Sequence, residues 1–367
     1  MADGELLTRA KTLLDQLSEK PRFAGSPEEA KARGRCRVEL ERAGLTCREL
    51  PFEYSQWPGR WGPPLAAAIQ AATILLVART SVNQGPLAAL VVGAALLSAL
   101  MFASSDAKRR WITEFPLQRA RSVNLEATRG SPGVWLVAHI DSKSQTVPML
   151  MRIASAIVLA TVTGVALLVL LASLAGMSRV ASAWPSLEIA AVVAAVPSML
   201  CFVRNDSRGA VDNSSGVVAV ILACQTASPA QELGVVITSG EELGLAGARV
   251  WSAGAKAGMR IINCDTLDDD GTWRCMYSGP KPDRLTAAAE TIRGRLGLKL
   301  TIGRFIPGIL ADSMAFADRG IESVTVSRAT LGTLARIHTR RDNSNTLGGR
   351  GVAEGAALLT ALAKELG

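Results

Sequence analysis

The sequence predicts an α/β protein: a mainly parallel central sheet with helices on both faces, interrupted by two transmembrane helical hairpins. Three observations carry that prediction. Short apolar runs such as Val134-Trp135-Leu136-Val137-Ala138 and Leu233-Gly234-Val235-Val236-Ile237 alternate with longer amphipathic stretches. This is the pattern of strands buried on both faces and of the helices that cover them. Separately, the stretches Pro64–Ala78, Pro86–Ala103, Ile153–Met177 and Ile189–Val203 carry the excess of Ala, Val and Leu in a chain that is 49% hydrophobic yet only 4% aromatic. Finally, polar residues with strong chemistry gather where the apolar runs stop, which is where open α/β sheets place their ligands.

Taken in order, residues 5–19 and 27–43 have helical spacing of apolar positions. Ser26 and Pro27 form an N-cap followed by Pro at the first helical position. Strands are predicted at Cys47–Tyr54, Ser122–Thr128, Gly133–Ile140, Leu233–Thr238, Arg260–Asp265, Leu300–Phe305 and Glu322–Ser327. Helices are predicted from about Ser214, from about Glu242, and around 281–294 and 351–365. The triplet Asp268-Asp269-Asp270 reads as an exposed turn.

Ile153–Met177 is uncharged throughout and exceeds the ~18 residues that mark a membrane span. The shorter stretches are expected to pair with longer ones as hairpins, since a lone span would separate the two ends of the polar chain. Residues 61–107 and 149–203 are therefore assigned to hairpins, and 1–60, 108–148 and 204–367 to the sheet-forming part. Lys108, Arg109, Arg110, Arg119 and Arg121 follow the second stretch, Arg152 precedes the third, and Arg204 and Arg208 follow the fourth. The hairpin loops hold only Arg79 and Arg179. That asymmetry places the polar segments in the cytoplasm, and the first residues lack the pattern of a secretory signal. The net charge of +8 and pI near 9.5 suit a basic collar on an anionic lipid bilayer. Nucleic acid is not an expected partner, because no basic stretch is interleaved with aromatics. The six cysteines show no Cys-x-x-Cys spacing and are expected as free, mostly buried thiols.

The chain contains only two histidines, His139 and His338. His139 ends an apolar run, Asp141 follows two residues on, Asp212 lies in Asp212-Asn213-Ser214-Ser215-Gly216, Glu241-Glu242 closes another run, and Asp265 closes a third. Imidazoles and carboxylates at strand ends are a ligand set that zinc accepts. Hydrolysing an amide at neutral pH needs a strong nucleophile and a place for charge on the carbonyl oxygen, and a zinc pair supplies both. Asp212, Glu242 and Asp265 bring three negative charges against four positive ones, and a hydroxide would balance them. Glu241 is then left outside the ligand set, facing the water whose proton it takes. Gly244–Gly247 lacks the Lys-Ser/Thr of a phosphate loop, so nucleotide binding is not expected.

The blocks Ala138-His139-Ile140-Asp141-Ser142, Gly209–Gly216, Gly240–Gly247, Ile262-Asn263-Cys264-Asp265 and Ile337-His338-Thr339 resemble, in order, the co-catalytic di-zinc aminopeptidases of metallopeptidase family twenty-eight. Arg22–Gly44 is similar to that family's opening helices. The resemblance implies a zinc aminopeptidase-like fold, two Zn2+ ions and peptide substrates. It implies His139 and Asp265 on one zinc, Glu242 and His338 on the other, Asp212 as the bridge, Glu241 as general base, Asp141 orienting His139, and Asp312 lining the substrate pocket. The chain departs from the family in its membrane hairpins, in Ile337 where an aromatic residue often stands, and in Ser313 where histidine is frequent. Two other readings follow from the same residues: an inactive peptidase-fold membrane scaffold, or an acyltransferase like the glutaminyl cyclases. At ~3.3–3.6 Å per residue, the residues between His139 and Met149 form a short tether, so membrane-associated peptides are the expected substrates. The oligomeric state is not expressed in the sequence.

Overall fold

The computed structural model describes residues 3–105, 112–256, 258–306 and 308–367; Lys108, Arg109 and Arg110 of the expected basic collar lie outside them. The chain divides into two compact units. One comprises Met1–Tyr54, Arg119–Ser144 and Arg204–Gly367, and the other Ser55–Gln118 and Gln145–Val203.

The first unit is built on eight strands, β1 (Thr46–Ser55), β2 (Arg119–Arg129), β3 (Val134–His139), β4 (Leu233–Thr238), β5 (Arg260–Leu267), β6 (Thr272–Tyr277), β7 (Leu300–Arg304) and β8 (Glu322–Ala329). They lie in the order β1-β2-β4-β3-β5-β8-β6-β7. Strand β3 runs parallel to both β4 and β5, β8 parallel to β5, and β7 parallel to β6, while β2 is antiparallel to β4 and β6 to β8. Every residue of β3 and β4 is buried, as the unbroken apolar runs require of strands covered on both sides. On one face Trp135, Val137, Val236, Ile261, Trp251 and Phe316 share a core, with the Trp135 and Trp251 rings 4.9 Å apart. Gly234 lies opposite Trp135 in the register, and a Cβ there would strike the indole. The glycine is what lets that ring lie flat over its neighbour strand. The other face is covered by helices Asp3–Leu17, Pro27–Arg42, Ser215–Thr226 and Arg350–Leu366, which pack on one another.

Most predicted elements stand within a few residues of their expected bounds. Strand β6 was not predicted. Its buried Trp273, Cys275 and Met276 alternate with half-exposed or exposed Thr272, Arg274 and Tyr277, so it lacks the continuous apolar run of its neighbours. Asp268 is not part of an exposed turn. It is buried, and its carboxylate accepts from Thr333 Oγ1 at 2.5 Å and Arg336 Nη2 at 2.6 Å. It thereby anchors helix Leu331–Arg336, which leads directly into His338.

The second unit contains helices Trp57–Gln84, Pro86–Ser105, Met149–Leu174 and Trp184–Met199. Among the described residues three stretches, Trp57–Gln84, Met149–Leu174 and Ser178–Met199, are long and apolar enough to cross a membrane. Their shared core of Ala67, Ala71, Ile74, Leu159, Val162, Ala191 and Ala195 is rich in small residues, which allow close helix approach. Their outer faces are equally apolar: Ile69, Leu168 and Val193 are 50%, 65% and 66% exposed. Helices apolar on every side suit a lipid surrounding. Pro197 sits inside helix Trp184–Met199, close to its C-terminal end. Arg79 lies within Trp57–Gln84 rather than in a loop, 3.6 Å from Glu188.

Candidate metal centre

Strand register brings the predicted ligands to one edge of the sheet. His139 stands opposite Thr238, the last residues of β3 and β4, and Asp265 lies near the end of β5. The turn after β4 carries Glu241 and Glu242 in a short 3-10 segment, Glu241–Leu243, entered through left-handed Gly240. This segment explains why the next helix starts only at Ala246, later than predicted. Asp212 sits just before helix Ser215–Thr226, and the Asp212–Asn213 peptide is cis.

All six residues converge. His139 Nε2 lies 3.2 Å from Asp212 Oδ1, 3.7 Å from Asp265 Oδ1 and 4.0 Å from Glu241 Oε2. His338 Nε2 lies 3.0 Å from Asp212 Oδ2 and 3.1 Å from Glu242 Oε2. The ligand atoms of His139, Glu241 and Asp265, and likewise those of Asp212, Glu242 and His338, fall within 4.8 Å of one another. The two oxygens of Asp212 thus face different imidazoles, the arrangement a bridging carboxylate needs. None of the six is more than 9% exposed.

The donor set fits a cation. His139 Nδ1 lies 3.1 Å from the Asp141 carbonyl, which fixes the tautomer that leaves the Nε2 lone pair free. That Nε2, together with Glu242 Oε1 and His338 Nδ1, is buried without a hydrogen-bond partner. Buried polar atoms left unpaired cost free energy, and cations on the Asp212 side of the imidazoles would satisfy His139 Nε2 and the crowded carboxylates together.

Electrostatics separates the acids. Burial raises the Asp212 carboxyl, but hydrogen bonds and charge from His139 and His338 overcome it and hold Asp212 well below the ordinary range. Burial pushes Glu241 far above its ordinary value, with Glu242, Asp265 and Asp312 adding to the rise and His139 opposing it. Asp265 is raised as well, chiefly by burial and with Asp212 adding to it, while His139 and Thr266 oppose the rise. Burial disfavours a charged His139, yet Glu241, Asp141, Asp212 and Asp265 together raise it.

Asp141 orients more than His139. Besides its carbonyl on the imidazole, its carboxylate accepts the backbone N–H groups of Glu241 at 3.2 Å and Glu242 at 3.3 Å. Asp312, expected in the substrate pocket, is fully buried. Its Oδ2 accepts from the Thr238 hydroxyl, and burial pushes it up to about 7.

Several residues escaped the sequence reading. Asp342 is fully buried and accepts from Val211 N at 2.7 Å and Asp212 N at 3.2 Å. The fully buried Arg22 guanidinium donates to the carbonyls of Leu17, Ile140, Arg208 and Gly209, tying β3 to the loop before Asp212. Asn213 donates to Cys264 O and accepts from Thr266 N, joining the Asp212 turn to β5. Lys143 Nζ lies 2.8 Å from both the Glu242 carbonyl and Glu242 Oε2. The available signal was spacing alone: Asp342 and Lys143 each stand four residues after a histidine. His338 itself and Thr266, next to Asp265, have φ of 59° and 62°. For non-glycine residues these are costly conformations, and they concentrate at functional sites.

A buried centre of carboxylates and imidazoles at the strand ends of a doubly covered sheet defines a metallopeptidase-like protein. The chain belongs to peptidase family M28, whose profile matches residues 123–363. The fold is similar to that of the aminopeptidase from Aneurinibacillus sp. strain AM-1, with 14% identity, a TM-score of 0.57, and coverage of 100% of this chain and 96% of that one. It is similar also to a zinc aminopeptidase from Bacillus subtilis, with 13% identity, a TM-score of 0.55 and coverage of 97% and 94%. The glutaminyl cyclase of Fimbriiglobus ruber shares the fold at 15% identity, TM-score 0.54, over 98% of this chain and 95% of that one. No curated protein matches the sequence.

Proposed function

We propose that this chain is a membrane-anchored zinc aminopeptidase that removes N-terminal residues from peptides, with Glu241 as general base. The carrying observation is the pair of clusters joined by Asp212, whose two oxygens lie 3.2 Å and 3.0 Å from His139 and His338. His139 and Asp265 would hold one zinc, Glu242 and His338 the other, and Asp212 would serve both. When bound, the metal pair acidifies a water and polarises the scissile carbonyl. Glu241, its proton affinity raised by burial, takes the proton of the attacking water and returns it to the departing amine. Asp141 holds the Glu241 and Glu242 amides and the His139 ring at once, which keeps base and ligands in one geometry. The apolar outer faces of the second unit support anchoring in a bilayer, with residues 1–60, 108–148 and 204–367 forming the catalytic part on the cytoplasmic side. Membrane-associated peptides are the substrates that such anchoring favours.

The test uses full-length protein in detergent. Chelation should abolish release of the N-terminal residue from a panel of aminoacyl chromogenic substrates, and zinc should restore it. Glu241→Gln should keep its zinc while turnover falls by about 10²–10⁴-fold. Wild-type turnover in that variant removes Glu241 as the base. Cyclisation of N-terminal glutamine with release of ammonia, in place of hydrolysis, would favour the acyltransferase reading, and metal-free, inert protein the scaffold.

A further inference from the structure

Two segments that lead to and from the centre carry an unbalanced positive charge. Arg204–Arg208 runs towards Asp212, and Thr339–Arg341 follows His338 directly. The two are joined to each other. Arg340 Nη2 lies 3.2 Å from Asp206 Oδ1, and Asp342, next after Arg341, accepts from the Val211 and Asp212 amides. Since His338 Nε2 and Asp212 Oδ2 are 3.0 Å apart, both segments border the same half of the centre. Together they hold four arginines and one acid, Asp206, an excess of three positive charges. Arg204, Arg208, Arg340 and Arg341 are all exposed. Among the described residues Arg204, Arg208 and Arg341 form no ion pair, and Arg341 Nη2 is steadied by the Ala335 carbonyl at 2.9 Å. Acids on the turn after β5 have cations of their own: Asp268 lies 2.6 Å from Arg336 and Asp270 2.9 Å from Arg350. At no more than ~3.6 Å per residue, the backbone of Arg340 and Arg341 stays within about 11 Å of His338, and that of Arg208 within about 14 Å of Asp212.

We propose that these four arginines form a cationic rim that selects peptides carrying a carboxylate immediately beyond the bond that is cleaved. This rests on the aminopeptidase reading of the centre and gives that reading a substrate class. An aminopeptidase takes the N-terminal residue into its buried centre, while the rest of the peptide extends towards solvent. Exposed side chains beside the centre therefore meet the residue that follows the scissile bond. Cations gathered on one side of a site raise the local concentration of an anionic substrate and speed its capture. A guanidinium also matches a carboxylate with two parallel hydrogen bonds. Two sources supply such a carboxylate: the α-carboxylate of a dipeptide, and the side chain of an acidic second residue in a longer peptide.

The experiment compares kcat/KM for matched peptides on full-length, zinc-loaded protein in detergent. Leucyl-glycine against leucyl-glycinamide varies the α-carboxylate, and leucyl-aspartyl-glycinamide against leucyl-asparaginyl-glycinamide varies the side chain. At low ionic strength the acidic member should be favoured about tenfold, chiefly through KM. In about 1 M salt, where the screening length is about 3 Å, the preference should shrink to about twofold or less. Arg208→Gln combined with Arg341→Gln should cut the low-salt preference at least about threefold, whereas lysine at both positions, which keeps the charge, should retain most of it. A preference confined to the first pair assigns the rim to dipeptides, and one confined to the second assigns it to acidic longer peptides. Equal turnover within both pairs overturns the proposal and leaves the aminopeptidase reading intact. So does a preference that the double glutamine variant keeps in full, because the metals alone then produce it. No hydrolysis of any member overturns both. The single glutamine substitutions carry the same comparison if the double variant does not fold.

Discussion

Replacing Asp342 with Asn removes one of the two acceptors that hold the Val211 and Asp212 amides and turns an N–H group towards them instead. Asp342 touches no proposed substrate, so its effect runs through the placement of Asp212. Such supporting contacts commonly change metal affinity by 10–100-fold. Asp342→Asn should therefore weaken zinc binding by about that factor, as read by competition with a chelating dye, and lower the melting temperature of the metal-stripped protein, since a buried amide loses its acceptor. Unaltered affinity would show that Asp212 holds its place without this anchor. At this scale the proposed ligands were legible because their residue types are rare and sit at strand ends: two histidines serve a chain of 367 residues. The residues that fix them were not. Arg22 and Asp342 act on backbone groups that lie 118 and 131 positions away in the chain, and no local pattern records so distant a partner.

Among the elements, helix Pro27–Arg42 is fastened to the sheet by the buried Glu29 carboxylate as well as by the Arg33 and Arg37 pairs with Glu49 of β1. Glu29 accepts from Gly25 N at 2.7 Å, from Ser122 Oγ of β2 at 3.1 Å, and from Ser239 Oγ just beyond β4. Burial, with Asp141 adding to it, raises Glu29 to about 7, although the Ser239 and Gly25 bonds and Arg33 oppose the rise. A carboxyl raised on folding favours the folded state while protonated in it. That contribution is complete below the unfolded value near 4.5 and fades as pH climbs through 7. The span corresponds to about 3 kcal/mol. Metal-stripped protein should lose thermal stability as pH rises across this window, and Glu29→Gln, which does not titrate, should show a flatter dependence. Parallel melting curves for the two proteins would sink the assignment. Elements were read well where periodicity is strong, as in β3 and β4, and missed where it is weak. In β6 the partner strands β7 and β8 supply the burial that its own sequence does not advertise. Leu245, at φ 62°, delays the helix after Glu242 through a conformation that residue type does not signal.

For the molecule as a whole, the apolar outer faces of the second unit predict that the protein stays with membranes through an alkaline carbonate wash and is released only by detergent. A reporter joined after Gly367 should be active on the cytoplasmic side. Recovery in the wash, or an externally exposed reporter, would contradict the proposed arrangement. The division into units has a further meaning for how the protein is made. His139 is translated before the segment Gln145–Val203 and Asp212, Glu242, Asp265 and His338 after it. On the proposed arrangement, the helices bound for the bilayer are made before four of the five proposed ligands. A nascent chain stalled at that stage would carry one imidazole and no partner for it, so the proposed hydrolase would gain its competence only in a chain already delivered to its compartment.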